Sequence, residues 1–116
     1  MKADKECVFC KIVNKEIPAE IVYEDKDCIG FRDINAQAPE HILVIPKRHI
    51  AMLSDLDDSH AELAGKLYLA VIKTAKLLNL SDGFRMVGNC GEDAGQLVRH
   101  IHIHLLGGRR MSWPPG

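Results

Sequence analysis

The chain has 116 residues, of which 47% are hydrophobic, and 15 basic residues stand against 16 acidic ones, so that the formal net charge is −1. This length suffices for one domain with its own core, and the near-neutral balance gives no support to a nucleic-acid groove or a polybasic membrane patch. The first residues carry no apolar run and the later apolar runs are short, so we predict neither a signal peptide nor a membrane span and expect the cytoplasm as the compartment.

The N-terminal part contains a Cys-x-x-Cys pair, Cys7 and Cys10, in a chain with four cysteines. Without a secretory signal these thiols are expected to be reduced. The pair is typical of half a zinc site, of a redox pair, or of two small apolar residues. No strand precedes it, which argues against the redox pair, and half a zinc site needs two further ligands. Residues 9–14 are predicted to form a short helix that ends before Pro18.

The next part of the chain is predicted to contain three strands. Residues 20–24 and 28–32 are joined by a turn at 25–27, so we expect a hairpin. Asp33 follows the second strand directly, and an aspartate there often serves only the turn through its side-chain acceptor. Residues 41–46 form the most apolar run, which is typical of a central strand buried on both faces.

One long amphipathic helix is predicted from Ser59 to Leu78, with Asp58 or Ser59 as its N-cap. Apolar residues recur along one helical face, which we assign to the core: Leu63, Leu67, Ala70, Val71, Thr74 and Leu78. Residues 84–89 are predicted to form a fourth strand. The connection 90–95 is flanked by glycine and can present backbone N–H groups to an anion, although glycines also serve ordinary turns.

The most informative stretch runs from Gly95 to Gly108. His100, His102 and His104 alternate with apolar residues, which is the period of a strand, so one face is predicted to carry three imidazoles while the other packs on the core. Three titratable rings on one face have no packing rationale. With the earlier segments, this strand predicts an α+β domain: a five-stranded, mainly antiparallel sheet with one long helix and a short N-terminal helix.

Three chemistries can use such a histidine face. They are metal ligation, nucleophilic catalysis at phosphorus with neighbouring rings handling protons and charge, and pH sensing. A metallohydrolase with all three histidines on one ion is disfavoured, because the outer two positions of a straight strand lie about 14 Å apart at the backbone. The histidine pattern alone does not choose among the others.

The run from His100 to Leu106 resembles the signature of the histidine-triad (HIT) superfamily, in which three histidines alternate with apolar residues. The segments 31–34, 41–50 and 89–96 occur in the order that this family shows. The last ten residues resemble the Hint branch, the nucleoside phosphoramidases. The resemblance therefore covers nearly the whole chain, from residue 7 to residue 116.

This resemblance implies a HIT-like fold in a single domain, residues 1–116, with tails at residues 1–6 and 109–116. It implies hydrolysis of purine nucleoside 5′-phosphoramidates, such as adenosine 5′-phosphoramidate, and of aminoacyl-adenylates, through a nucleotidyl-histidine intermediate. It also implies a homodimer whose two sheets join across the interface. The alternative function is a zinc-containing nucleotide-binding scaffold without significant turnover.

The same resemblance implies roles for individual residues. The middle histidine, His102, corresponds to the family's nucleophile, and His104 and His41 contact the phosphate and complete the catalytic set. A neutral imidazole is a good nucleophile near pH 7, provided that its other ring nitrogen donates to an acceptor such as a backbone carbonyl. The implied substrate-binding residues are Asp33 and Ile34 for ribose and base and, around the phosphate, Asn89, Gln96, His102 and His104.

Two features distinguish this chain within the family it resembles. Hint proteins often carry a serine one residue after the glutamine, where this sequence has Leu97, so leaving-group assistance by that hydroxyl does not carry over. Some members hold a zinc ion through a Cys-x-x-Cys pair and two histidines, and the matching residues are Cys7, Cys10, His49 and His100. The resemblance thus implies one Zn²⁺ per chain in a structural role, because four protein ligands leave no open position for water.

Overall fold

The computed structural model describes residues 4–116, so residues 1–3 of the predicted N-terminal tail lie outside the described residues. Five strands form one antiparallel sheet, accompanied by one long and one short helix, and the predicted α+β fold is confirmed. Two 3₁₀ turns, Leu53–Asp55 and Asp58–His60, precede the long helix. The elements in chain order are α1 (Val8–Val13), β1 (Ile21–Glu24), β2 (Cys28–Arg32), β3 (Glu40–Pro46), α2 (Ala61–Leu77), β4 (Phe84–Gly88) and β5 (Ile103–Gly107).

The sheet has the strand order β1-β2-β3-β5-β4, with antiparallel pairing throughout. The predicted hairpin between β1 and β2 is present, and β3 is central, buried from His41 to Pro46 as predicted. β5 lies next to β3 although α2 and β4 separate them in sequence. This pairing places His41 opposite Leu106 and Leu43 opposite His104, so the two histidines are diagonal neighbours on one face.

The two faces of the sheet pack against different partners. Long helix α2 covers one face, where Ile42, Val44 and Leu105 are fully buried with Val71 of the helix. Short helix α1 covers part of the other face, where its Phe9 belongs to a second cluster. Since side chains alternate between faces, the histidines of β3 and β5 lie on the α1 side.

The start of α2 differs from the prediction. The helix begins at Ala61 rather than Ser59, and neither predicted cap residue closes it. Instead Asp57 accepts from the backbone N–H of Ser59 at 2.9 Å and caps the preceding 3₁₀ turn. The Asp57 carboxylate thus caps the 3₁₀ turn that precedes the helix, and the α-helical hydrogen bonds start only after that turn.

The start of the histidine strand also differs from the prediction. Strand β5 begins at Ile103, so only His104 of the three histidines lies within it. The ladder with β3 stops at Val44 and Ile103, and the N–H of Ile101 donates to the carbonyl of Ile50 at 2.8 Å instead. The predicted alternation nevertheless persists, because Ile101 is buried in the core beneath α2 and the flanking histidines pack near α1.

Within residues 4–116, none of the helices has the length and apolar character that crossing a membrane requires.

Candidate active site and metal centre

His102 is fixed in one tautomer by the backbone. Its Nδ1 lies 2.8 Å from the carbonyl oxygen of His100, and because a carbonyl only accepts, Nδ1 carries the hydrogen. The lone pair of the neutral ring is therefore on Nε2. The ring is buried and stands edge-on to Phe9 and to His104, at centroid distances of 5.2 Å in both cases. The expected carbonyl partner of the central histidine is confirmed.

His41 and His104 form a hydrogen-bonded pair beside His102. The Nε2 atom of His41 lies 2.9 Å from Nδ1 of His104, as the diagonal register of β3 and β5 requires. The backbone N–H of Gln37 donates to Nδ1 of His41 at 3.0 Å. On the outer side Oδ2 of Asp33 lies 3.4 Å from Nε2 of His41. The structure therefore brings the predicted residues Asp33, His41 and His104 together in one cluster.

Both rings of this pair are neutral at pH 7. Burial, together with the charges that His102 and His41 carry when protonated, lowers the pKa of His104 to about 4. Burial also lowers the pKa of His41, and the nearby Asp33 carboxylate only partly opposes this effect. The resting pair therefore presents neutral imidazole to a ligand, rather than an imidazolium charge on either ring.

Asp33 serves two partners with its two carboxylate oxygens. Oδ1 accepts from the backbone N–H of Asn35 at 2.9 Å, which is the turn chemistry expected at this position. Oδ2 faces His41. The next side chain, Ile34, is fully exposed to solvent. An apolar side chain that projects freely beside a carboxylate gives this edge of the site one apolar and one charged contact for a ligand.

The loop after β4 is shaped by two glycines and one glutamine. Gly91 and Gly95 have φ angles of 85° and 80°, in the left-handed region that favours glycine. The side-chain oxygen of Gln96 accepts from the N–H of Gly91 at 2.9 Å, and its amide nitrogen donates to the carbonyls of Ala51 and Val98. Gln96 thus holds the loop, and a direct phosphate contact from its amide requires breaking one of these bonds.

A cavity of about 220 Å³ lies on this loop and is lined by Gly91, Glu92, Gly95, Gln96, Leu97 and Arg99. Leu97, the residue after Gln96, is 93% exposed. Asn89 directly follows β4 and is half-buried. The N–H groups of Gly91, Gly95 and Gln96 are bonded within the loop, and Leu97 presents an apolar side chain at the position where the resemblance implies phosphate contacts.

The second cluster brings together the four predicted metal ligands. The Nδ1 atoms of His49 and His100 lie 3.1 Å apart, and Cys10 Sγ lies 3.3 Å and 3.6 Å from them. Cys7 Sγ lies 3.4 Å from Nδ1 of His100. All four donor atoms lie within 4.8 Å of one another.

These distances fit a tetrahedral ion. Zinc bonds of about 2.0 Å to nitrogen and about 2.3 Å to sulfur place two nitrogens about 3.3 Å apart, and a nitrogen and a sulfur about 3.6 Å apart. The observed separations differ from these values by a few tenths of an ångström. Two thiols and two imidazoles are also the donor set that zinc prefers in closed structural sites.

The surroundings of the cluster also fit a metal. His100 Nε2 lies 2.8 Å from the carbonyl of Pro46, so the hydrogen is on Nε2 and the Nδ1 lone pair faces the thiols. His49 Nε2 lies 3.7 Å from a carboxylate oxygen of Asp4. Acceptors behind the ligating rings are the usual second layer of a metal centre, where they fix tautomer and ring orientation. The residues present therefore fit Zn²⁺.

Three contributors to these sites were not predicted from the sequence. Two of them are backbone groups, the N–H of Gln37 and the carbonyl of Pro46. Nearly every residue has these groups, so the sequence gives no indication of their role. Phe9 packs against the rings of both His100 and His102. Its place between the two cysteines is a signal that sequence reasoning could have used.

Comparison with known proteins yields consistent matches. The model of the HIT domain family matches residues 14–111. A protein described as an uncharacterized HIT-like protein of Synechococcus elongatus is 52% identical over 97% of this chain and 98% of its own length. The crystal structure of a HIT family hydrolase from Legionella pneumophila is 50% identical, covers 95% of this chain and 99% of its own, and superposes with a TM-score of 0.92. A histidine triad protein from Clostridium difficile is 42% identical, over 94% of this chain and 96% of its own, with a TM-score of 0.90.

Proposed function

The chain belongs to the HIT domain family, and on that premise we propose that it is a purine nucleoside phosphoramidase of the Hint branch. Its substrates are purine nucleoside 5′-phosphoramidates such as adenosine 5′-phosphoramidate, and related aminoacyl-adenylates. The observation that carries the proposal is the tautomer of His102. A buried imidazole with Nδ1–H bonded to a carbonyl and a free lone pair on Nε2 is a prepared nucleophile.

The reaction proceeds in two displacements at phosphorus. With a phosphoramidate, His102 Nε2 attacks, a P–N bond to histidine forms, and the P–N bond to the leaving amine breaks, which gives a nucleotidyl-histidine. With an aminoacyl-adenylate, the bond that breaks is the P–O bond to the amino acid's carboxylate. Water then attacks phosphorus, and the nucleoside monophosphate leaves the histidine. Splitting one difficult hydrolysis into two steps is the advantage of a covalent intermediate.

The leaving amine departs readily only when it is protonated. His41 and His104 carry no extra proton at neutral pH, because the pKa values of both are lowered. This favours a substrate whose nitrogen is already protonated when it binds. Because one ring nitrogen of His41 faces Gln37 and the other faces His104, the donor that this pair offers to a phosphoryl oxygen comes from His104, in a half-buried setting where such a bond is stronger than in water.

We further propose that Cys7, Cys10, His49 and His100 bind one structural Zn²⁺ per chain, and the donor set and spacing described above support it. Thiolate ligands require reduced cysteines, which supports the cytoplasm as the working compartment. The domain then comprises residues 1–116. Residues 1–6 and 109–116 are its tails.

A homodimer is the proposed assembly. Strand β4 lies at one end of the sheet, and an edge strand offers backbone groups for pairing with a second copy. Apolar side chains are exposed on this strand and on the outer side of α2: Tyr68, Leu69, Leu77 and Phe84. When two copies pair along this edge about a two-fold axis, each copy covers the exposed apolar surface of the other.

The test is a search for the covalent intermediate. The protein is incubated with a panel of nucleoside phosphoramidates, and mass spectrometry records any nucleotide adduct. We expect an adduct on His102, and loss of nearly all turnover in His102→Ala, with His102→Gly no better. The alanine variant should keep its metal content, which separates a histidine nucleophile from a metallohydrolase. Wild-type kcat in His102→Ala would show that the nucleophile is another group.

A further inference from the structure

The loop between β2 and β3 contacts the catalytic cluster through a backbone group that the reaction scheme above does not use. The N–H of Gln37 points at Nδ1 of His41, at 3.0 Å. A peptide N–H only donates, so Nδ1 of His41 is the acceptor. In the neutral ring the hydrogen is then on Nε2.

The tautomer of His41 determines that of His104. Nε2 of His41 lies 2.9 Å from Nδ1 of His104, and because the former carries the hydrogen, the latter accepts it. The hydrogen of the neutral His104 ring is therefore on its own Nε2. The centre of the His104 ring lies 5.2 Å from the centre of the His102 ring, so the two rings are neighbours.

Gln37 makes further hydrogen bonds through its carbonyl and its side chain. Its carbonyl accepts from Nε of Arg109 at 3.1 Å, and its side-chain amide donates to the carbonyl of Asn35 at 3.0 Å. Asn35 in turn donates to Asp33. These bonds hold residue 37 in place between the loop and the first residue of the C-terminal tail.

We propose that the backbone N–H of Gln37 is a positioning group, which sets the tautomers of His41 and His104 so that His104 Nε2–H is the donor to the phosphoryl oxygen. This inference rests on the proposed phosphoramidase function for its catalytic meaning. Its structural content, the tautomer of each ring, is independent of any substrate.

The first test reads the tautomers directly. Long-range ¹H–¹⁵N correlation spectra of ¹⁵N-labelled wild-type protein at pH 7 distinguish the protonated from the unprotonated ring nitrogen of each histidine. We expect the hydrogen on Nε2 in both His41 and His104, and on Nδ1 in His102. A hydrogen on Nδ1 of His41 overturns the inference, whatever the activity of the protein.

The second test removes the donor while keeping the residue's neighbours. Gln37→Pro has no N–H, whereas Gln37→Ala keeps it and removes only the side-chain bond to Asn35. We expect the wild-type tautomers in Gln37→Ala and a mixture at His41 and His104 in Gln37→Pro. The kcat for adenosine 5′-phosphoramidate should be about five- to tenfold lower in the proline variant than in the alanine variant, the size of one lost hydrogen bond.

Wild-type tautomers together with equal kcat in a folded Gln37→Pro variant contradict the inference. Should that variant not fold, the wild-type spectrum still decides. The two proposals also fail separately: a protein with the expected tautomers and no adduct on His102 refutes the phosphoramidase function and leaves the tautomer assignment intact.

Discussion

His100 takes part in both clusters through different atoms. Its ring faces the thiols with Nδ1 and donates from Nε2 to Pro46, while its carbonyl accepts from the ring of His102. One residue therefore orients the ring of His102 and belongs to the Cys–His cluster. Sequence periodicity singled out this histidine, but its backbone role follows from the bend that keeps it out of β5.

Asp33 is the residue for which a turn role and a ligand role can be separated. A carboxylate accepts from both the 2′- and 3′-hydroxyls of a ribose, so Asp33→Ala is expected to raise KM by a factor equivalent to about 1.5–3 kcal/mol. The penalty for a 2′-deoxy substrate should shrink in the same variant. Steady-state kinetics with matched ribo- and deoxyribonucleoside phosphoramidates measures both effects.

Asp33→Asn is the matched control, because asparagine keeps the acceptor for the N–H of Asn35 and removes the charge. We expect its KM to rise while its melting temperature stays near that of the wild type. If the loss of kcat/KM for the 2′-deoxy substrate were the same in Asp33→Ala as in the wild type, Asp33 would have only its role in the turn.

At the scale of elements, the structure matches the prediction wherever one segment sets its own conformation. The β1–β2 hairpin and the apolar β3 are local patterns, and they lie within a residue of the predicted bounds. The starts of α2 and β5 were wrong, because a 3₁₀ turn and the end of the β3 ladder depend on partners elsewhere. The pair of His41 and His104 also depends on register, which no local pattern encodes.

Alanine substitutions at two glycines are expected to change the stability of the protein in opposite directions. In Gly108→Ala, just after β5, the new Cβ meets the Cβ of Pro39 at 2.9 Å and the backbone has φ +88°, so we expect a loss of about 1–3 kcal/mol in unfolding free energy. Gly65 lies within α2, and an added Cβ there meets no atom within 4 Å. Gly65→Ala should therefore stabilise by about 0.5–1 kcal/mol. Urea denaturation of both variants measures the difference, and equal stability would contradict this account of the β5 terminus.

At the scale of the whole molecule, the apolar core and the histidine clusters lie on opposite faces of the sheet. The face under α2 is filled by aliphatic side chains, whereas the face near α1 carries both histidine clusters. Helix α1 spans only six residues, which is too short for stability by itself. The proposed metal, by joining Cys7 and Cys10 to His49 and His100, would fasten this segment to the sheet.

Loss of the metal should therefore affect stability before chemistry. We expect one zinc per chain in the purified protein, and its loss in Cys7→Ser/Cys10→Ser, which should melt earlier yet keep measurable activity at low temperature. Cys90→Ser, outside the cluster, is the control and should keep its zinc. Native protein with far less than one equivalent of metal, and no gain in melting temperature on adding zinc, would refute the site.

The assembly is tested by sedimentation at micromolar concentration. One chain has a mass of 12.9 kDa, and we expect a species of twice that mass. Leu69→Glu places a charge within the exposed apolar side of α2 and should shift the population toward the monomer. A wild-type protein that sediments only as the single chain would exclude the dimer.

A hydrogen-bonded amide can also decide where a metal ion does not bind. The donor atoms of Asp33, His41 and His104 lie within 4.8 Å of one another, so by distance alone this cluster is a second candidate for an ion. An ion on Nε2 of His41 would move that ring's hydrogen to Nδ1, where it would face the N–H of Gln37, donor against donor. The Cys–His cluster has no such conflict, because the lone pair of His100 already faces inward. Zinc added in excess should therefore leave His41 and His104 free, and metal uptake should end at one ion per chain.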